Sequence, residues 1–141
     1  MITLAWMGWG VSWTIASVWT RQTSARAGVA ELPSTFVSLI GALLLFVPTH
    51  GFSLGPEWPV SLTLAWTMFG VIVCGIVFAW WARLHLGTLW SGSVTRKADH
   101  RVVDTGPYAF VRHPIYTGIL GAALATGVAR GEAGALLGAA V

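Results

Sequence analysis

Charged side chains are scarce in this sequence. Asp, Glu, Lys and Arg make up only 9% of its 141 residues and hydrophobic residues 55%, whereas soluble domains carry about 25% charged residues. So few charged residues are not enough to cover a surface that faces water. We therefore expect lipid to be the main solvent of the chain. A chain of 15.0 kDa is the size of one domain, so a single membrane unit is expected over residues 1–141.

Cysteine is almost absent too, since Cys74 stands alone in an apolar run. A disulfide within the chain and a cysteine metal site are thereby excluded, and Cys74 is interpreted as a small buried hydrophobic residue. Three histidines, His85, His100 and His113, stand too far apart in sequence to match a local metal-ligand spacing. No metal site is predicted.

The net charge of +3 does not indicate nucleic-acid binding, because the basic residues are scattered among apolar runs instead of forming one stripe. Nucleic acid is therefore not expected as a partner. Membrane lipid is.

Long apolar stretches predict an all-α polytopic transmembrane helix bundle, with about four spans and a partial last helix. The first stretch lacks a basic leader and contains four tryptophans, so it is interpreted as a span and not as a cleaved signal peptide. The third, which contains no charge, is the clearest, and it is expected to end in an interfacial anchor of Trp80, Trp81 and Arg83. The predicted spans are Thr3–Trp19, Ser34–Thr49, Val60–Ala82, Pro114–Ala129 and the partial Ala133–Val141.

Basic residues predict the topology, because cytoplasmic loops hold an excess of Lys and Arg. All but Arg130 fall in residues 21–33 or in residues 83–113, which we call the polar segment. We therefore expect the N-terminus outside and the polar segment on the cytoplasmic side. The residues that favour this orientation are Arg21, Arg26, Arg83, Arg96, Lys97, Arg101 and Arg112.

Glycine and proline residues predict several local features of the C-terminal half of the chain. Gly106-Pro107 indicates a turn. A proline pushes the residue before it out of the helical region, so His113 is expected to be extended and Pro114 to open a helix. Glycines four residues apart, Gly127 with Gly131 and Gly134 with Gly138, predict close helix packing, and pairing with a second copy stays open.

Arg112 and His113 should lie at the start of the helix opened by Pro114. Unpaired backbone N–H groups and the helix dipole favour an anion there, and Tyr116 lies in the next turn. Each residue has a second interpretation: Arg112 as an anchor on lipid phosphates, His113 as a helix cap, and His100 as part of a solvated loop. Taken singly, they do not decide the function.

Taken together, these residues resemble a known family. The runs His100-Arg-Val-Val-Asp-Thr-Gly-Pro-Tyr108 and Val111-Arg-His-Pro-Ile-Tyr-Thr-Gly118 are similar to the signature of the isoprenylcysteine carboxyl methyltransferase family and its phospholipid methyltransferase relatives. Ala82-Arg-Leu-His-Leu-Gly87 and Trp90-Ser91 also fit the bacterial members. The resemblance is specific between about residues 83 and 131.

The resemblance implies an all-helical membrane enzyme that binds S-adenosylmethionine between the polar segment and the last helices. Its acceptor would be a lipid-like or small hydrophobic molecule. No catalytic side chain is assigned, and no glycine-rich dinucleotide fingerprint follows a strand, which excludes a soluble Rossmann-type methyltransferase. By resemblance, the residues that line the cofactor pocket are His100, Val102, Val103, Gly106, Tyr108, Arg112, His113 and Tyr116.

Two other functions are weighed against this one. Membrane sterol reductases are distantly similar in their C-terminal region and bind a nicotinamide cofactor, but the two runs favour a methyltransferase. A non-catalytic membrane subunit or scaffold would use the basic segment to bind anionic lipid or a partner. A transport role is weakened because the first three spans contain no ionisable group.

Family members continue beyond the helix hairpin that begins at Pro114, into a stretch with paired glutamates and later tyrosines. The sequence ends at Val141. We expect a fragment. A missing helix supplied by another chain, or a relative that binds without turnover, are the alternatives.

Overall fold

A computed structural model describes residues 1–17, 32–47, 55–87 and 103–140. The described residues contain five α-helices and a short 3-10 helix, so the prediction of an all-α fold is confirmed. The α-helices are α1 (Ile2–Ser17), α2 (Leu32–Phe46), α3 (Leu62–Leu86), α4 (Pro114–Arg130) and α5 (Ala133–Ala140). The 3-10 helix, Gly106–Ala109, is called the Gly106 turn below.

Each α-helix coincides with a predicted span to within a few residues. The largest difference is in α3, which begins at Leu62 because the Ser61 hydroxyl caps it by accepting from Leu64 N at 3.1 Å. The helix then continues to Leu86, through the arginine that was predicted to close the span, and ends at Gly87 with φ +52°. A left-handed glycine is a common helix stop.

Helices α3 and α4 are joined by contact between their backbones. A Cβ atom added to Gly75 would lie 2.5 Å from Gly118 O, and one added to Gly118 would collide with Gly75 O. Alanines flank this contact, with Ala79 and Ala122 fully buried. Small residues permit such close approach, which is how helices associate in lipid, where burying apolar surface gains little.

The glycine pairs that the sequence predicts lie elsewhere and pack inside the chain. A Cβ on Gly127 would lie 2.8 Å from Leu136 Cδ2 of α5, and one on Gly138 would lie 2.7 Å from Gly41 O of α2. Gly131, with φ +71°, ends α4. The glycines therefore serve helix contacts and a turn within this chain.

Helix α1 attaches to the bundle through polar contacts. Trp6 Nε1 donates to Thr126 Oγ1 of α4 at 2.9 Å, and the fully buried Thr126 hydroxyl donates in turn to Ala122 O at 2.8 Å. Near the other end of α1, the rings of Trp13 and Trp80 meet edge to face, with centroids 5.4 Å apart. The buried Thr126 hydroxyl thus has a partner both as acceptor and as donor, as buried polar groups normally do.

At the Arg130 end of the bundle, the chain before α3 pairs with the turn between α4 and α5. Trp58 N donates to Gly131 O at 2.9 Å and Ala133 N to Pro56 O at 3.1 Å. Arg130 donates to Phe46 O at 2.8 Å and forms an ion pair with the buried Glu132 at 3.1 Å. These bonds hold the end of α2, the start of α3 and the end of α4 together.

Most of α3 is apolar and faces away from the protein. Its buried residues are only Ile72, Ala79, Ala82 and Arg83, while Trp66, Val77 and Trp81 are exposed. Among the described residues, α3 alone is long and apolar enough to cross a membrane, since α1, α2 and α4 have 16, 15 and 17 residues. A full crossing takes about 20 consecutive apolar residues.

The interpretation of Cys74 as buried is wrong. Cys74 is exposed on α3. An unbroken apolar run has no polar face to mark which side is buried, so the sequence did not distinguish the outer side of this helix from the inner one.

Substituting Gly118 with alanine should weaken the bundle. The new methyl group meets Gly75 O and lies 3.2 Å from Ala79 Cβ, and overpacking of this kind costs about 1 to 3 kcal/mol. The matched control is Gly121→Ala in the same helix, where a Cβ meets nothing within 4 Å and helix propensity improves by up to about 1 kcal/mol. Thermal melting followed by tryptophan fluorescence in detergent should show a lower midpoint for Gly118→Ala alone. Equal midpoints for the two variants would contradict the contact.

Candidate functional site

One end of the bundle gathers the end of α1, the end of α3, the Gly106 turn and the start of α4. Arg83, in the last turn of α3, connects these parts. Its guanidinium donates from Nη2 to Ala16 O of α1 at 2.9 Å and from Nη1 to Gly87 O at 3.0 Å. The last carbonyls of a helix have no partner within it, so one arginine closes two helix ends.

Arg83 was predicted as an interfacial anchor, but the structure buries it, with 3% of its surface exposed. Its guanidinium carbon lies 6.0 Å from the centre of the Trp13 ring, within the range of a cation–π contact. The prediction failed because two helix ends converge on this side chain, and their carbonyls replace the water it would otherwise contact. Arg83 therefore holds α1 beside the site.

The Gly106 turn lies against the last turn of α3. Gly106 has φ +59°, and a Cβ there would lie 2.7 Å from His85 Cε1. Pro107 is fully buried, and Thr105 Oγ1 shares a hydrogen bond of 2.9 Å with His85 Nε2. Glycine is required at position 106 both by the left-handed backbone and by the imidazole ring beside it.

Tyr108, half-buried in the same turn, stacks on His85 with ring centroids 6.3 Å apart and an interplanar angle of 26°. Burial raises the pKa of the Tyr108 hydroxyl, and the positive charge of Arg83 opposes that rise. The phenol is therefore protonated at neutral pH, so it can donate a hydrogen bond.

The start of α4 has the form that the sequence predicts, with one difference. Pro114 is the first helical residue and is fully buried. His113 precedes it with φ −130° and ψ 63°, outside the helical region yet short of the extended ψ that was expected. The difference arises because the His113 carbonyl turns to accept from both Thr117 N at 2.9 Å and Thr117 Oγ1 at 3.0 Å.

The His113 side chain makes no capping hydrogen bond to α4. Its ring instead meets Tyr116 edge to face, with centroids 6.3 Å apart. Arg112 and His113 are exposed, and 68% of Tyr116 is exposed. The first N–H groups of α4 thus lie beside a cation, an imidazole and an aromatic ring, which together suit an anionic ligand.

Most of the predicted site residues fall into two groups. Gly106 and Tyr108 lie together against α3, and Arg112, His113 and Tyr116 lie together at the start of α4. Val103 is half-buried just before the turn. His100 and Val102 lie outside the described residues.

His85 is the site residue that the prediction missed. It contacts Thr105, Gly106 and Tyr108, yet the resemblance was carried over only for positions 100 to 116. The available signal was its place in the matching run Ala82–Gly87.

A cavity of about 380 Å³ lies at the opposite end of α4 and contains none of the predicted site residues. Its lining is mainly apolar and includes Met1, Phe46, Trp66, Phe69, Thr126 and Arg130. This cavity therefore lies apart from the candidate site, which the polar groups around the Gly106 turn form.

In the described residues the elements are helical, the Gly106 turn lies between two helix ends, and α3 is long and apolar enough to cross a membrane. The family model for isoprenylcysteine carboxyl methyltransferases matches residues 66–138, just over half of the chain. The chain therefore belongs to the isoprenylcysteine carboxyl methyltransferase family, as the two runs predict. No match to this chain was found among curated proteins, and none among solved structures.

The Tyr108 phenol should ionise only above its ordinary pKa of about 10. The chain has two tyrosines, so the Tyr116→Phe variant reports Tyr108 alone in an ultraviolet titration of phenolate. Adding Arg83→Met should raise the pKa further, because the opposing positive charge is removed. A raised pKa favours the folded state below about pH 10 and loses that effect as the pH rises through the folded value. If Tyr108 ionised at the same pH as free N-acetyltyrosinamide, that result would contradict its burial.

Proposed function

We propose that the protein is an S-adenosylmethionine-dependent methyltransferase that acts at a membrane surface. The family match covers most of α3, the Gly106 turn, α4 and most of α5. It carries this proposal because the end of α3, the Gly106 turn and the start of α4 build the candidate site. Family membership gives the reaction class, and the residues of the site supply the reasons for the cofactor.

The side chains around the Gly106 turn suit this cofactor chemically. The methionine part of S-adenosylmethionine carries a carboxylate, which the N–H groups of α4 with Arg112 or His113 would hold. Its adenine offers a flat aromatic face, which suits the rings of Tyr108 and Tyr116. The cofactor supplies a methyl group on a positively charged sulfur.

Methyl transfer from a sulfonium is an in-line displacement that needs little help from proton transfer. Alignment of donor and acceptor contributes most of the rate, and exclusion of water helps because charge is neutralised as the methyl moves. Residues of this chain would therefore act mainly by holding the cofactor and shielding it. This agrees with a site made of backbone turns and aromatic rings.

The acceptor we propose is lipid-like or a small hydrophobic molecule. Phe110 and Tyr116 are 76% and 68% exposed beside the polar turn, and Leu84 at the end of α3 is 62% exposed. An apolar acceptor would reach the site across this surface from the lipid. Water-soluble acceptors would gain nothing from it.

We further propose that α1, α2 and α4 lie in the membrane beside α3. Exposed apolar residues form a stripe along α1, at Leu4, Met7, Val11 and Ile15, and α2 exposes Leu39, Leu43 and Phe46. Stripes of this size on a water-facing surface are rare. Helices this short can be accommodated by local thinning of the bilayer.

Binding of S-adenosylmethionine to the detergent-solubilised chain should be saturable and should weaken about 10- to 100-fold in Arg112→Ala or His113→Ala. Each loses a charged or polar partner of the carboxylate, worth about 1.5 to 3 kcal/mol. The measurement is isothermal calorimetry, with a nicotinamide cofactor as competitor and Leu124→Ala, exposed near the middle of α4, as matched control. Binding that neither variant weakens would reject the carboxylate assignment. Displacement by the nicotinamide would favour a reductase, and absence of binding a non-catalytic subunit.

The orientation predicts which side of the membrane each end of the bundle reaches. Single cysteines replacing Asp104 or Pro59, both exposed, would be introduced after Cys74→Ala. Position 104 should react with a membrane-impermeant maleimide only in inside-out vesicles, and position 59 only in right-side-out vesicles, because basic loops remain in the cytoplasm. Labelling of both positions from one side would reject the odd number of crossings between them.

A further inference from the structure

We propose that His85 is a positioning residue of the cofactor site, which holds the Gly106 turn in place from the last turn of α3. This inference rests on the proposed function, since the turn matters if it binds S-adenosylmethionine. The role is that of a residue acting through its neighbours and not of one that touches the reacting atoms.

Three contacts converge on the His85 ring, one from Thr105 just before the turn and two from Gly106 and Tyr108 within it. Its Nε2 shares the 2.9 Å hydrogen bond with Thr105 Oγ1, its ring edge lies where a Gly106 Cβ would be, and its face stacks on Tyr108. A residue that merely ended α3 would not contact all three. The imidazole instead packs against the turn and holds its conformation.

The Thr105 hydroxyl supports this interpretation. Thr105 occupies the capping position of the 3-10 helix, where threonine normally accepts a bond from the backbone, yet it makes no such bond. Its hydroxyl is engaged with His85. The Thr105 hydroxyl therefore bonds to α3 instead of capping the 3-10 helix.

The hydrogen bonds within the turn are long, so a bond to a residue outside the turn is needed to hold its conformation. Tyr108 N donates to Thr105 O at 3.2 Å, and Phe110 N and Val111 N both donate to Pro107 O at 3.3 Å. The optimum for such bonds is about 2.9 to 3.0 Å. His85, by contrast, stands on a helix fixed to α4 by the Gly75–Gly118 contact.

The first test is amide hydrogen exchange of the ligand-free protein, read on Tyr108, Phe110 and Val111. His85→Ala should raise exchange there several-fold, while amides in the middle of α3 and α4 stay protected. His113→Ala, which removes the other described histidine at this end of the bundle, is the matched control and should leave the turn unchanged. Unchanged exchange in His85→Ala overturns the positioning role.

The second test measures the dissociation constant for S-adenosylmethionine. His85→Ala should raise it about tenfold with the melting midpoint unchanged, because a distorted turn binds less well in a protein that is otherwise folded. His85→Phe keeps the ring and loses the hydrogen bond, so it should match Thr105→Val, and the double variant should be no worse than either. Thr105→Ser should bind as wild type does.

The two tests separate the two proposals. Absence of binding in the wild type rejects the proposed function, and with it the cofactor role of His85, while exchange still decides whether His85 orders the turn. Wild-type binding with an unaltered dissociation constant in His85→Ala rejects the cofactor role of His85 alone. Fully additive losses in the double variant would reject the shared hydrogen bond.

Discussion

The backbone contact between Gly75 and Gly118 determines where everything else in this protein can be. Because no side chain separates the two helices at this point, the end of α3 and the start of α4 are brought to one end of the bundle. His85 lies within three turns of Gly75, and His113 about one turn before Gly118. The last turn of α3, the Gly106 turn and the start of α4 therefore lie at the same end of the bundle.

Arginine and its partners close the helix ends of this apolar bundle. Arg83 satisfies carbonyls at the ends of α1 and α3, and Arg130 does the same for the end of α2 while paired with Glu132. Unpaired carbonyls are costly in an environment that offers little water. The same residue type thus serves both ends of the bundle, and only one of those ends carries the family motif.

The sequence predicted the helices well and the side-chain environment less well. Long apolar runs locate the helices, and Pro114 predicts the start of α4 because proline acts on the backbone directly. The burial of Arg83 and the exposure of Cys74 depend on which helices meet, and an apolar run without a polar face does not contain that information. Of the site, the helix start at Pro114 followed from local rules. The contact of His85 with the Gly106 turn, across a segment outside the described residues, did not.

The antiparallel arrangement of α3 and α4 also gives the site two opposite partial charges. The end of α3 carries the negative pole of its helix dipole, and the start of α4 carries the positive pole. S-adenosylmethionine is itself divided in this way, with a carboxylate on one side and an ammonium and a sulfonium on the other. A carboxylate of the proposed cofactor would match the pole at the start of α4. At the end of α3 the Arg83 guanidinium already donates to Gly87 O and opposes the negative pole, so the start of α4 is the pole that would orient this ligand.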